Sequence, residues 1–108
     1  METLDGGIVR VDLAGRLDAQ GTEAIEPKLM DCAGTYRSVI LDMSSVDFLS
    51  SAGIRTLLLA AKAVSRRGGK MVITNPAPDV RNVLEIAAVD ALIPIHESLE
   101  EARSAVSG

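Results

Sequence analysis

A mixed α/β fold, with a sheet of four to five strands covered by about four helices, is predicted by three features of the sequence. Short runs of Val, Ile and Leu alternate with stretches of helical periodicity in the order β-β-α-β-α-β-α-β-α, which suits a sheet with helices packed on it. A Gly6-Gly7 pair separates the first two extended segments and signals a hairpin. The 108 residues are 47% apolar but only 2% aromatic, so an aliphatic core of one small domain, spanning residues 1–108, is the expectation.

The first hairpin takes Glu2 to Asp5 and Ile8 to Leu13. Ile8, Val9, Val11 and Leu13 carry its apolar content, with Arg10 and Asp12 outward. Ala14-Gly15-Arg16-Leu17-Asp18 is expected to lead out of the strand. A helix is predicted between Ala19 and Ala33, with Ile25, Leu29, Met30 and Cys32 at helical spacing and Gly34 as its stop. Pro27 lacks an N–H and should cost about 3 kcal/mol inside a helix. The helix therefore either starts near Glu23–Ala24 or bends, with Asp18 or Thr22 as candidate caps.

Arg37 to Met43 packs Val, Ile and Leu in succession, as in a strand buried on both faces. Val46 to Ser51 is expected to be a loop in which Asp47 organises the backbone and Phe48 turns into the core. The strongest helical pattern follows, from Ile54 to Arg66. Ile54, Leu57, Leu58, Ala61 and Val64 form its apolar stripe, while Arg55, Lys62 and Arg66 project elsewhere. Gly68-Gly69 ends it. Lys70 to Thr74 is the next strand, and Asn75-Pro76-Ala77-Pro78-Asp79 turns into a helix with Val80, Val83, Leu84 and Ala87 inward. Ala91 to Ile95 reads as a short strand, His96 as a cap or surface residue, and Ser98 to Val106 as a closing helix.

Composition narrows function. The net charge is −4 without a basic cluster, which argues against nucleic acid or anionic membrane as the main partner. One cysteine excludes an internal disulfide, fits a reducing compartment, and reads as a small buried hydrophobe. No apolar run approaches a membrane span and no signal peptide is recognisable, so a cytoplasmic location is expected. With one histidine and no phosphate-cradling glycine loop, the chain is expected to be neither an enzyme nor a holder of cofactor or metal.

The candidate functional stretch is Val46-Asp47-Phe48-Leu49-Ser50-Ser51-Ala52-Gly53-Ile54. Serines entering a helix meet backbone N–H groups that lack partners and the positive end of the helix dipole. Ser50 fits a cap there and leaves Ser51 exposed at the first helical position. Ser51 is then either an ordinary helix-terminal serine or a phosphate acceptor, with Ser50 as the alternative acceptor. Arg55, Leu59 and Lys62 share a helical face with Ser51. They form either a solvated face with one stray leucine or a binding strip anchored by Leu59. Arg55 could also pair with a phosphate on Ser51.

Three stretches together resemble the STAS family of anti-sigma factor antagonists and their relatives. They are Gly15-Arg16-Leu17-Asp18; Val39-Ile40-Leu41-Asp42 continuing to Asp47-Phe48-Leu49-Ser50-Ser51-Ala52-Gly53-Ile54; and Gly68-Gly69-Lys70-Met71-Val72 with Ala77-Pro78-Asp79-Val80. The resemblance implies a STAS-like fold and a partner-switching role. The antagonist binds a serine-kinase anti-sigma factor, is phosphorylated at the serine matching Ser51, and is reset by a protein serine phosphatase. The resemblance also implies that Asp18, at the first strand–helix junction, belongs to the same surface as the serine; with Ser50 and Ser51 and the helical face of Arg55, Leu59 and Lys62 it makes the candidate partner surface. Two positions depart from the pattern: Ser50 stands where many members have aspartate, which changes the local field. Ala88 stands where a glycine usually follows the third helix, so a different helix ending is expected. The same fold could instead serve as a cytoplasmic STAS accessory subunit of an ABC-type lipid transport complex.

Overall fold

A computed structural model describes residues 1–107. Strands β1 (Glu2–Leu4), β2 (Ile8–Leu17), β3 (Ser38–Leu49), β4 (Met71–Thr74) and β5 (Ile95–His96) form one sheet in the order β1-β2-β3-β4-β5. Only β1 runs antiparallel to its neighbour; the other pairs are parallel. Helices α1 (Ala19–Thr35), α2 (Ser51–Arg66), α3 (Pro78–Ile86) and α4 (Leu99–Ser107) supply the crossovers and cover the sheet. The predicted order of elements and the mixed sheet are both present.

Alternation along the strands divides the core. Val9, Val39, Leu41, Met43, Met71 and Ile73 face α1, α2 and α3, whose Leu29, Cys32, Leu57, Val64, Val80 and Leu84 are buried with them. Ile8, Ile40 and Val72 point the other way, onto Ala102 and Val106 of α4. The hairpin between β1 and β2 turns on Gly6 and Gly7, both with φ near +80° (81° and 76°), which costs glycine little. Burial, and secondarily the Asp31 carboxylate, push the Cys32 thiol pKa up, and the thiol rests 3.5 Å from the Met1 sulfur.

Several expectations need correction. Strand β2 does not end at Leu13 but runs to Leu17, and β3 does not end at Met43 but runs to Leu49. β3 has 12 residues against the 10 of β2. Two register shifts, between Asp12 and Ala14 and between Gly15 and Arg16, absorb the difference. They break strict alternation: past Met43 the buried residues are Val46 and Leu49, three apart, a spacing that mimics a loop in sequence. Asp47 and Phe48 are consequently exposed strand residues, not a loop organiser and a core side chain.

Helix α1 starts at Ala19 and passes through Pro27 to Thr35, taking in Gly34, which does not stop it. Pro27 and Glu23 are both exposed, so the carbonyl that loses its usual donor can be hydrated. In α2 the buried apolar side chains are Leu57, Ala60 and Val64, with Ile54, Leu58 and Ala61 only partly covered. Ala87 lies exposed beyond the end of α3. The strand expected over Ala91 to Ile95 starts only at Ile95: Ala91 closes a 3-10 turn, Val89–Ala91, and His96 is a half-buried residue of β5 and not a cap.

The ending of α3 is also unlike the expectation. Ala88 has φ 57° and ψ 26°, the left-handed conformation with which glycine commonly closes a helix. The alanine therefore keeps a glycine-like ending, at a steric cost. Replacing Ala88 with Gly should stabilise the fold by about 0.5–1 kcal/mol, since the strain removed exceeds the chain entropy added. A higher urea midpoint at an unchanged m-value would show it.

Candidate functional site

The two longest strands deliver two helix starts side by side. Leu17 and Leu49 are register partners at the ends of β2 and β3, and the next residue of each chain segment caps a helix. Asp18 caps α1: its Oδ1 accepts the Gly21 N–H at 2.9 Å, and its Oδ2 lies 3.7 Å from Arg16 Nε. Ser50 caps α2: its Oγ accepts the Gly53 N–H at 3.3 Å. The same hydroxyl donates to the Leu17 carbonyl at 2.6 Å, and the Ser50 N–H reaches that carbonyl at 3.0 Å. Each cap thus accepts from a glycine three residues on. Those glycines are required by space, because a Cβ on Gly21 would run into the Arg16 carbonyl oxygen. One on Gly53 would sit 3.1 Å from the Leu17 carbonyl oxygen and 2.8 Å from Leu49 Cδ1.

The tandem serines are chemically distinct for this reason. Ser50 has spent its proton on Leu17 and an oxygen lone pair on Gly53. An aspartate at this position would present a carboxylate to the Leu17 carbonyl with no proton to donate. Ser51, the first residue of α2, is exposed, and among the described residues its hydroxyl makes no hydrogen bond. It stands at the positive end of a 16-residue helix that carries no acidic residue in its first turn.

Ser51, Arg55, Leu59 and Lys62, brought to one face by helical spacing, line a shallow groove of about 320 Å³ together with Ile54 and Leu58. Leu59 is 44% exposed, well beyond the partial cover of its neighbour Leu58. Asp18 does not line this groove; it sits at the neighbouring cap. On the other flank of α2, Arg55 and Leu59 border a smaller cleft against α1. There Thr56 donates to the Glu26 carboxylate at 2.9 Å and ties the two helices together. The Thr22 hydroxyl lies buried beside it without a partner.

Sequence reasoning missed Phe48. Its ring is 40% exposed at the end of β3, with the Arg16 guanidinium 4.5 Å from the ring centroid. Asp18, Arg16 and Phe48 thereby form a chain of contacts across the two strand ends. The three-residue step from Val46 to Leu49 was the available signal, because it leaves Phe48 on the outer side. Among the described residues no group of three or more His, Cys, Asp or Glu side chains could hold a metal ion. None of their helices is long and apolar enough to cross a membrane.

Parallel strands that feed two adjacent capped helices, with a mixed five-stranded sheet behind them, define a class of domain. The STAS domain family model matches residues 3–102, and the chain belongs to that family. Within it the chain is 33% identical over 106 residues to BtrV of Bordetella bronchiseptica, a protein provisionally assigned as an anti-sigma factor antagonist. That match covers 97% of this chain and 90% of BtrV. An anti-sigma factor antagonist of Mycobacterium paratuberculosis superposes with a TM-score of 0.87 at 21% identity, covering 100% of this chain and 92% of that one. The anti-sigma factor antagonist SpoIIAA in its unphosphorylated form gives 0.79 at 22% identity, over 96% and 92%. These two structural likenesses are likenesses of fold.

Proposed function

We propose that residues 1–108 act in the cytoplasm as a single regulatory STAS domain, an anti-sigma factor antagonist whose binding is gated by phosphorylation of Ser51. The unmodified domain binds a serine-kinase anti-sigma factor through the face made by Ser51, Arg55, Leu59 and Lys62, with Asp18 and the Ser50 cap at its edge. The kinase transfers the γ-phosphoryl group of ATP to Ser51 Oγ, ADP leaves, and the hydroxyl proton is lost to the kinase. A protein serine phosphatase hydrolyses the ester and restores the hydroxyl. The domain itself is the substrate, and the catalytic groups belong to its partners.

The observation that carries this reading is the division of labour between the serines. The Ser50 hydroxyl is engaged by Leu17 and Gly53, whereas the Ser51 hydroxyl is exposed at the head of a groove with an under-covered leucine. Such an arrangement offers one oxygen to a kinase and keeps the other for the fold. The names of the relatives, anti-sigma factor antagonists among them, agree with the role.

Incubation with the kinase-type anti-sigma factor of the source organism and ATP, followed by mass-spectrometric mapping, is the test. A single phosphoryl group on Ser51, lost in Ser51→Ala, is the expected result. Modification at Ser50 or elsewhere would overturn the proposal, as would recovery of an ABC-type ATPase in place of a kinase from a pull-down.

A further inference from the structure

The protein has 15 acidic side chains against 11 basic ones, yet α2 contains no aspartate or glutamate. Its exposed cations Arg55, Lys62 and Arg66 join none of the ion pairs among the described residues, all of which involve Arg10, Arg16 or Arg81. The groove beside Ser51 also does not stop at Lys62. Through Leu58 and Lys62 it continues into a second cleft of about 270 Å³, completed by Ala61, Ser65 and Leu92. Leu59 and Leu92 stand 44% and 68% exposed along this path, and no carboxylate lines either part. An aliphatic trough with unpaired cations, on a protein that is otherwise acidic, is complementary to a segment with apolar and carboxylate faces.

We infer that this trough seats an amphipathic acidic segment of a protein partner. Its apolar side chains rest on Leu58, Leu59 and Leu92, and its carboxylates meet Arg55 and Lys62. The inference deepens the proposed function and rests on it for the partner's identity as the kinase, though not for the binding itself. It also gives phosphorylation a physical target. A phosphoryl group on Ser51 places roughly two negative charges at the head of the trough, where they offset the cations and repel the incoming carboxylates. The attraction it cancels is long-ranged and screened by salt, so it acts largely on the association rate.

The test uses the intact protein, labelled for amide NMR and titrated with two synthetic helical peptides. Both have the same length and leucine pattern; the polar face is glutamate in one and lysine in the other. Vesicles of phosphatidylglycerol form a third arm. The glutamate peptide should shift the amides of α2 and of the segment around Leu92. Its affinity should fall about tenfold between low and moderate salt, as expected for screened charges. Paired Arg55→Glu and Lys62→Glu substitutions, at exposed positions with circular dichroism as the check on folding, should reverse the preference between the peptides. Equal or better binding of the lysine peptide, shifts confined to another face, no binding by either peptide, or binding to vesicles alone would each overturn the inference. The two ideas fail separately: an unmodified Ser51 with the glutamate peptide still seated on α2 removes the switch and leaves the trough. A phosphorylated Ser51 with no peptide preference does the reverse.

Discussion

Phosphorylated protein is expected to bind its kinase partner about a hundredfold more weakly than the unmodified form, with the same circular dichroism spectrum and a melting temperature that does not fall and rises by at most a few degrees. The two halves of this expectation come from different magnitudes. At the start of α2 a phosphoryl group gains about 0.3–1 kcal/mol from the helix terminus, which slightly favours the fold. In a contact surface the same group brings bulk and roughly two negative charges that must be desolvated against whatever faces them, a cost of several kcal/mol. Since about 1.4 kcal/mol is tenfold in affinity, a net loss near 2.7 kcal/mol gives the hundredfold figure. Ser51→Ala should bind like the unmodified protein, because the exposed hydroxyl makes no hydrogen bond within the described chain. Ser51→Glu should lie between, carrying one charge and less bulk. Isothermal titration calorimetry of the four forms decides the matter, and equal affinity of the phosphorylated and unmodified forms would refute the gating mechanism.

Gly21→Ala should destabilise the domain by about 1–3 kcal/mol, the range for overpacking a tight site. The added methyl would meet the Arg16 backbone carbonyl, which has no rotamer to escape into. The end of β2 and the first turn of α1 would have to separate, and Asp18 would lose its hold on the Gly21 N–H. For a domain of this size about 1 kcal/mol corresponds to roughly 4–8 °C in melting temperature, so a fall of several degrees to beyond ten is expected by calorimetry. Gly34→Ala is the matched control within the same helix. Nothing lies within 4 Å of its virtual Cβ, so the substitution should instead add about 0.5–1 kcal/mol. Loss of stability in both variants would point to helix α1 itself and not to the approach of Arg16.

Local chemistry made much of this domain readable. Val39-Ile40-Leu41 announces a strand buried on both faces, and all three residues are fully buried. Pro78 at the first helical position, the Gly6-Gly7 turn and the Ser50 cap each follow from one residue's own conformational or hydrogen-bonding preference. The helical face shared by Ser51, Arg55, Leu59 and Lys62 needed only a period of 3.6 residues. Those features depend on neighbours in the chain, which a sequence displays directly.

Other features depended on partners far along the chain. The reach of β3 to Leu49 is set by its pairing with β2, whose shorter length forces two bulges and turns a two-residue rhythm into a three-residue one. Phe48 is exposed because of that phase shift, and only then can Arg16 lie over its ring. What holds the Ser50 hydroxyl is of the same kind. Capping preference already set Ser50 at the helix entrance and Ser51 outward, but the carbonyl of Leu17, 33 positions away, takes the Ser50 proton as well. Periodicity and capping could place the two hydroxyls at the mouth of α2, but that one of them is tied to the end of β2 was decided by tertiary structure, because a hydrogen bond between distant segments leaves no local trace in the order of residues.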